Sequence, residues 1–213
     1  MDVFEVIRTT RAMRRLDPDR AVADADLWTM LEAATKGPSG SNRQQQRWVV
    51  VRDPALKAAL GVLYREVWDR YQADLSDDRR ADPAVRANMA SAAHLAEHFG
   101  EAPVILVACA RRRGDVEAAV YPGVQNLLLA ARALGLGATL TTMHKATSVE
   151  VRGLFGIPDD VEIFAVIPVG HPLGRFGEAR RRPVDEFVHW DRWGAHRQRG
   201  AESSLGESVT SGQ

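Results

Sequence analysis

Cysteine occurs once in the 213 residues, at position 109, so the chain can close no internal disulfide and build no multi-cysteine metal site. An excess of one charge is equally absent. The 28 Lys and Arg balance 28 Asp and Glu, which leaves no global field to draw in nucleic acid or an anionic membrane. No apolar run approaches the roughly 18 residues of a membrane span, and no basic, apolar leader opens the chain at Met1-Asp2-Val3-Phe4-Glu5. The expectation is a cytoplasmic protein that engages neither bilayer nor nucleic acid. Lysine is confined to Lys36, Lys57 and Lys145, so arginine carries nearly all the positive charge. What is present suits one globular domain: 45% hydrophobic and 26% charged residues suffice for a single substantial core.

Asp2 stands three residues before Glu5 and ahead of Val6 and Ile7, which predicts a short capped helix. After Asp24, Leu27, Met30, Leu31 and Ala34 follow at helical spacing and stop at Gly37-Pro38. A polar loop, 38–46, leads to the β-branched strand Trp48–Val51. Asp53-Pro54 then offers an N-cap and a first helical residue. Leu56, Leu60, Leu63 and Val67 form the face of the next helix, and 74–82 reads as a charged break. Another helix starts at Asp82-Pro83 and carries Val85, Met89, Ala92, Ala96 and Phe99 on one side. Val104–Cys109 predicts a central strand. Residues 116–134 predict a long, almost wholly apolar helix that needs more partner surface than one small sheet supplies. Ala138–Met143 is a Thr-rich strand candidate, Thr147 with Glu150 a capping box, and Glu162–Val169 the last strong strand. Four strands with five or six helices on one domain favour an α+β or three-layer arrangement.

Several strings resemble chemical motifs and are better explained otherwise. Gly135-Leu-Gly137 follows a helix and precedes a strand, the reverse of a dinucleotide fingerprint, and reads as a helix C-terminus with a left-handed glycine. His94-Leu-Ala-Glu-His98 could set two imidazoles on one helix face as zinc ligands, but no third ligand is in view; a polar helix face near a substrate mouth is the plainer reading, with no metal expected. Cys109 ends an apolar strand and behaves as a small hydrophobe. Ser39 and Ser41 lack the elbow of a serine hydrolase. More informative are Arg11, Arg14 and Arg15, the Pro38–Asn42 loop, and Arg180 to Arg182. Arginine forks suit phosphate, and a Ser/Gly/Asn loop permits close approach to a flat polar ring. These residues suit an anionic, phosphorylated ligand, or else the arginines simply lie on solvated faces.

Three ordered segments carry a resemblance. They are Ile7-Arg-Thr-Thr-Arg-Ala-Met-Arg-Arg-Leu16, then Glu32-Ala-Ala34 with Gly37-Pro-Ser-Gly-Ser-Asn-Arg-Gln44 leading into Trp48–Val51, and then Gln125 through Gly137. Across residues 2 to 190 the chain resembles the FMN-dependent nitroreductase family. The resemblance implies an intertwined α+β homodimer with a mainly antiparallel central sheet flanked by helices, the long helix at the dimer interface, and FMN in a cleft between subunits. It assigns 1–196 to one FMN-binding domain whose arm Val184–Trp193 crosses to the partner, with 197–213 as a disordered tail. Carried over by position, Arg11 and Arg15 would hold the FMN phosphate or ribityl end, and Arg14 would approach the N1/O2 side of the flavin. Pro38, Ser39, Gly40 and Asn42 would meet the ribityl chain and the ring. Thr141, Thr142 and Met143 would place backbone groups near N5, and Arg181 or Arg182 would be the C-terminal phosphate contact. No side-chain general acid is implied.

The activity implied is hydride transfer from NAD(P)H to flavin N5 and on to an electron-poor acceptor such as a nitroaromatic or quinone. Alternatives are other flavin chemistry, such as dehalogenation or deazaflavin-dependent reduction, and non-enzymatic flavin or nucleotide sequestration. Two departures from the family's pattern stand out: Thr10-Arg11-Ala12 loses a serine hydroxyl, and Gln45-Gln46 replaces a Pro-Trp pair with glutamines.

Overall fold

Strand β2, Val104–Arg111, is buried on both faces, and its period-two alternation divides the core. Val104, Leu106, Ala108 and Ala110 join one apolar cluster, while Ile105, Val107 and Cys109 join the other. The computed structural model describes residues 1–112 and 116–197. Beside β2 lie β1, Gln46–Val51, and β4, Val161–Gly170, with β3, Gly137–Ala138, beyond β4. The sheet order is β1-β2-β4-β3, and every pairing is antiparallel. Among the described residues seven α-helices surround it: α1 (Val3–Thr9), α2 (Asp24–Thr35), α3 (Pro54–Ala73), α4 (Asp77–Ala81), α5 (Pro83–His98), α6 (Glu117–Ala133) and α7 (Ser148–Phe155). The α+β expectation and the antiparallel sheet are borne out. The expected count of five or six helices falls short, because the charged break contains α4, capped by the Ser76 hydroxyl on Arg79 N–H.

Helices α2 and α6 cover one face of the sheet, with Met30, Ala34, Val120, Val124 and Leu127 packed on the even-numbered β2 residues. The other face packs against Leu60 of α3, Leu95 of α5, Phe99 of the 3₁₀ turn Phe99–Glu101 that follows it, and Val151 of α7. Each fully buried large side chain contributes about 1.5–3 kcal/mol, so the two clusters hold the sheet from both sides. Local signals start the helices as predicted. The Asp2 carboxylate accepts from Glu5 N–H at 2.9 Å, and that of Asp53 from Leu56 N–H at 2.9 Å. Replacing Asp53 by alanine is expected to cost about 1 kcal/mol through loss of this cap; chemical denaturation checks it, and an unchanged midpoint would refute it.

Two expectations are corrected. The strand foreseen over Ala138–Met143 shrinks to Gly137–Ala138. Thr139 N–H still donates to Pro168 O, but Pro168 has no N–H to return the bond, so the ladder breaks there and resumes only at the Thr141–Val166 bridge. Thr147 makes no capping bond. A 3₁₀ turn over Met143–Thr147 runs straight into α7, and the Thr147 side chain is buried. The long helix α6 is buried along one stripe, and Tyr121, Leu128, Leu129 and Ala130 are half-exposed in the single chain. Gly135, with φ +77°, is the left-handed residue after α6, whereas Gly137 lies in β3.

Two compact units divide the chain, Met1–Glu178 and Ala179–Gln213. In the second, a 3₁₀ turn spans Val184–Glu186, Arg182 pairs with Glu186 at 3.3 Å, and Arg197 pairs with Asp191 at 3.2 Å. The expected disordered tail lies, from residue 198 onward, outside the described residues.

Candidate functional site

The arginine-rich segment is held in extended form along the β3 edge. Met13 N–H donates to Ala138 O at 3.1 Å, and the Thr139 hydroxyl donates to Met13 O at 2.7 Å. Leu16 bridges Pro172, Leu173 N–H donates to Arg15 O, and Asp17 N–H donates to His171 O. Met13 is buried, Arg14 is half-buried, and Arg11 and Arg15 are exposed. Among the described residues no carboxylate pairs with any of the three, although Arg8, Arg52, Arg111, Arg112 and Arg152 each have one. The backbone that carries these guanidinium groups is thus tied down at both ends.

Thr141, Thr142 and Met143 sit at the same corner of the sheet. Thr141 is fully engaged: its N–H and hydroxyl both donate to Val166 O, and its carbonyl accepts from Val166 N–H. No protein acceptor takes the N–H of Thr142 or Met143 among the described residues, so these two, and not Thr141, are the donors on offer. Tyr64 of α3 links the corner. Its phenol feels the Arg14 charge and faces the Thr141 hydroxyl, its ring stacks on Phe99 with centroids 4.0 Å apart, and burial pushes its pKa up to about 12. It therefore stays a hydrogen-bond donor throughout the physiological range. Sequence reasoning missed Tyr64; the available signal was a hydroxyl-bearing residue four positions after Leu60 on a core-facing stripe.

The loop 38–44 is elsewhere. Ser41, Asn42 and Gln44 all adopt left-handed backbone, with φ of 52°, 51° and 48°. The Ser39 hydroxyl accepts from Gln44 N–H at 3.1 Å to close the turn. Pro38, Gly40 and Asn42 are exposed and Ser39 is half-buried. The loop is anchored on α6: a Cβ on Gly37 would lie 2.6 Å from Gly123 N, so only glycine lets the two backbones approach. Gln46, one of the departures, begins β1 and donates from Nε2 to Ala119 O at 2.8 Å, beside Pro122, which contributes no N–H to α6. Asn126 donates to Ala33 O and satisfies the end of α2.

Within one chain the two halves of the predicted site do not meet. The start of β1 pairs with Ala110, whereas Ala138 pairs with Val169, which pairs with Val104. Three strand spacings across and six residues along separate them, about 14 Å by 20 Å. Arg181 and Arg182 belong to the second unit; Arg181 donates to Arg180 O, and Arg182 lies over the Phe187 ring at 4.6 Å.

The alternative chemistries recede. The His94 and His98 rings are 4.3 Å apart, but His98 Nδ1 is taken by Glu101 at 2.8 Å, and no group of three ligands forms among the described residues. Cys109 is buried, and burial lifts its thiol to about 12, which leaves it inert. His144 is buried, and Ile163 O, which can only accept, assigns the proton to its Nε2 at 3.0 Å, leaving Nδ1 bare. Burial holds His144 below the ordinary imidazole value near 6.5. The unfolded chain therefore binds a proton that the folded chain refuses, and stability is expected to fall as pH drops below about 6.5. Thermal melts between about pH 7.5 and pH 5.5 test this, and His144→Gln, which can still donate to Ile163 O, should lose less; parallel losses would refute the assignment.

An antiparallel four-stranded sheet between helical layers defines an α+β protein, and at one corner of that sheet arginines without a carboxylate partner among the described residues accompany open backbone donors. The chain belongs to the Nitroreductase family, whose profile matches residues 7–171. It is 32% identical to an NADH dehydrogenase of Thermus thermophilus over 84% of this chain and 91% of that one. Identity to an iodotyrosine deiodinase of Thermotoga neapolitana is 25%, over 80% and 88% of the two chains. A structure from Desulfovibrio desulfuricans, described as a nitroreductase in complex with FMN, superposes with a TM-score of 0.69 at 27% identity, covering 91% of this chain and 98% of that one. Among the described residues no helix is long and apolar enough to cross a membrane.

Proposed function

We propose that the chain is an FMN-dependent oxidoreductase that takes hydride from NADH or NADPH and delivers it to a small electron-poor acceptor. The observation that carries this reading is the corner where Tyr64 feels the charge of Arg14, which has no carboxylate partner among the described residues, and faces Thr141, the residue before the open N–H groups of Thr142 and Met143. When bound, FMN would supply hydride acceptance and donation at N5. Arg14 would offset negative charge developing at the N1/O2 edge, Thr142 and Met143 would donate to the N5 edge, and Tyr64 would hold Arg14 and Thr141 in register. Arg11 and Arg15 suit the phosphate and ribityl end. The donor set fits the group: a dianionic phosphate needs cations without competing acids, and this segment offers Arg11 and Arg15.

Pro38, Ser39, Gly40 and Asn42 lie too far from Arg14 to reach the same FMN within one protomer, so the reading includes a homodimer in which the loop of one copy meets the arginines of the other. The half-exposed apolar face of α6 supports this arrangement. Arg181 or Arg182 would add the C-terminal phosphate contact. The test is an absorbance spectrum after incubation with FMN and desalting, before and after anaerobic NADH or NADPH, together with the solution mass. Flavin that persists and then bleaches in a dimer supports the reading. Flavin retained without bleaching points to sequestration, and no retained flavin overturns the cofactor assignment.

A further inference from the structure

A cavity of about 10 Å³ lies between α3 and the 3₁₀ turn Met143–Thr147, with Leu60, Leu63 and Val151 among its apolar walls and Tyr64, His144 and Thr147 as its polar lining. No arginine, lysine or carboxylate lines it. His144 and Thr147 stand three positions apart in the turn, where side chains eclipse, so both face the same space. Groups that can only accept fix the hydrogens here. Ile163 O takes the His144 Nε2 proton at 3.0 Å, which leaves Nδ1 an acceptor without a partner on a side chain only 4% exposed. Val166 O takes the Thr141 hydroxyl proton at 2.7 Å, so Thr141 Oγ1 can only accept from the phenol it faces, that of Tyr64. Tyr64 therefore spends its proton on Thr141 and offers only lone pairs elsewhere. His144 and Tyr64 thus bring two acceptors to one cavity, and acceptors cannot satisfy each other.

We infer that this cavity holds one ordered water that donates to His144 Nδ1 and to Tyr64 Oη, and that His144 is thereby a positioning residue for Tyr64. Water carries two hydrogens on one small atom, which is what two acceptors across a narrow space require. Thr147, whose hydroxyl makes no capping bond, can donate to the water oxygen and complete the three bonds usual for a buried water. The volume matches about one water and excludes any organic ligand. An ammonium or metal ion would meet no carboxylate there and would be desolvated by the leucine and valine walls. Cavities that stay empty are lined by apolar groups alone, whereas this one would strand a buried imidazole nitrogen. The resulting network has one direction throughout: Thr147 to the water, the water to His144 and Tyr64, Tyr64 to Thr141. It is anchored at both ends on carbonyls of β4, Ile163 O and Val166 O. The phenol is thereby oriented from the side opposite the arginines. That consequence for Arg14 and its corner rests on the proposed cofactor site; the water does not.

A crystal structure of the protein without added flavin reads the site directly. One water about 2.7–3.2 Å from both His144 Nδ1 and Tyr64 Oη is expected, and an empty cavity would overturn the inference. Tyr64→Phe and Thr147→Val each delete one hydroxyl at nearly constant volume, so both variants should fold. If one water serves both groups, the double variant should lose about tenfold less in folding equilibrium constant than the product of the two single losses, measured by denaturation. Losses that simply multiply would overturn the shared water. The positioning role is read from FMN affinity. Thr147→Val, outside every proposed cofactor contact, should raise the FMN dissociation constant about threefold in the wild-type background and leave it unchanged in Tyr64→Phe. His144→Gln keeps a donor for Ile163 O and an acceptor for the water, so it should stay within about twofold, whereas His144→Leu should match Tyr64→Phe. Equal effects of Thr147→Val in both backgrounds, or equal losses in the two His144 variants, would overturn the role of His144. Absence of any flavin binding would overturn the cofactor assignment and the positioning role with it, but not the water.

Discussion

Arg14→Ala is expected to raise the FMN dissociation constant about 10- to 100-fold and to slow flavin reduction by nicotinamide. The magnitude follows from removing a charge-assisted hydrogen bond worth about 1.5–3 kcal/mol. Arg14 is half-buried and linked electrostatically to Tyr64, which faces Thr141, so its loss removes the cation and loosens the corner around the open N–H donors. Arg14→Lys keeps the charge without the fork and should fall between the two. The same change at Arg8, already committed to Glu178 at 3.2 Å, should leave FMN affinity within about twofold, because exposed pairs carry little energy. Fluorescence titration of FMN separates these cases. Equal affinity in wild type and Arg14→Ala would remove Arg14 from the cofactor site.

Phe99→Ala is expected to destabilise the fold by about 3–5 kcal/mol, the usual cost of emptying a large aromatic site in a core. Phe99 has no solvent exposure and lies at the centre of the cluster joining α3, α5 and the sheet. The neighbourhood is poorly able to collapse into the gap. A Cβ on Gly100 would lie 2.8 Å from Lys57 O, and the Lys57 ammonium is tied to Ala102 O at 2.8 Å, so this turn is already packed against α3. Tyr64 would also lose its stacking partner, which couples this loss to the corner where Arg14 sits. Denaturant unfolding measures the change. A loss under about 1 kcal/mol with an unchanged m-value would show that the cluster refills the space.

Much of the fold is legible in short stretches of sequence. The caps at Asp2 and Asp53, the face of α2, the β2 and β4 runs and the left-handed Gly135 all depend on neighbours within a few positions, where residue type and spacing constrain the backbone directly. Where the expectations fail, the cause is a contact with a distant or following element. β3 stops short because its partner strand places Pro168 opposite Thr139, and Thr147 gives up its cap because a 3₁₀ turn carries the chain into α7 without a break. Gln46 reads in the sequence as damage to a family motif. In the fold it spans 73 positions to reach Ala119 O beside Pro122.

For the site, the sequence names most of the residues but not their grouping. Arg14 and Thr141 to Met143 do share a corner, while Pro38 to Asn42 stand at the far edge, a separation that follows from the order β1-β2-β4-β3 and its register. The His94-Leu-Ala-Glu-His98 string suggests metal, yet it forms part of a cavity wall because Arg14 lies opposite and Glu101 captures His98.

By itself, then, the sequence determined most element types and their order, since periodicity and capping are properties of adjacent residues, and its ordered motifs carried the family resemblance. The tertiary structure alone decided which arginines lack an acid, which backbone N–H groups remain open, and that one protomer carries only half of the proposed cofactor site. Those outcomes hang on contacts such as Thr139 to Met13, 126 positions apart, and a pairing across that distance is set by the packing of whole layers against each other, which no local pattern encodes.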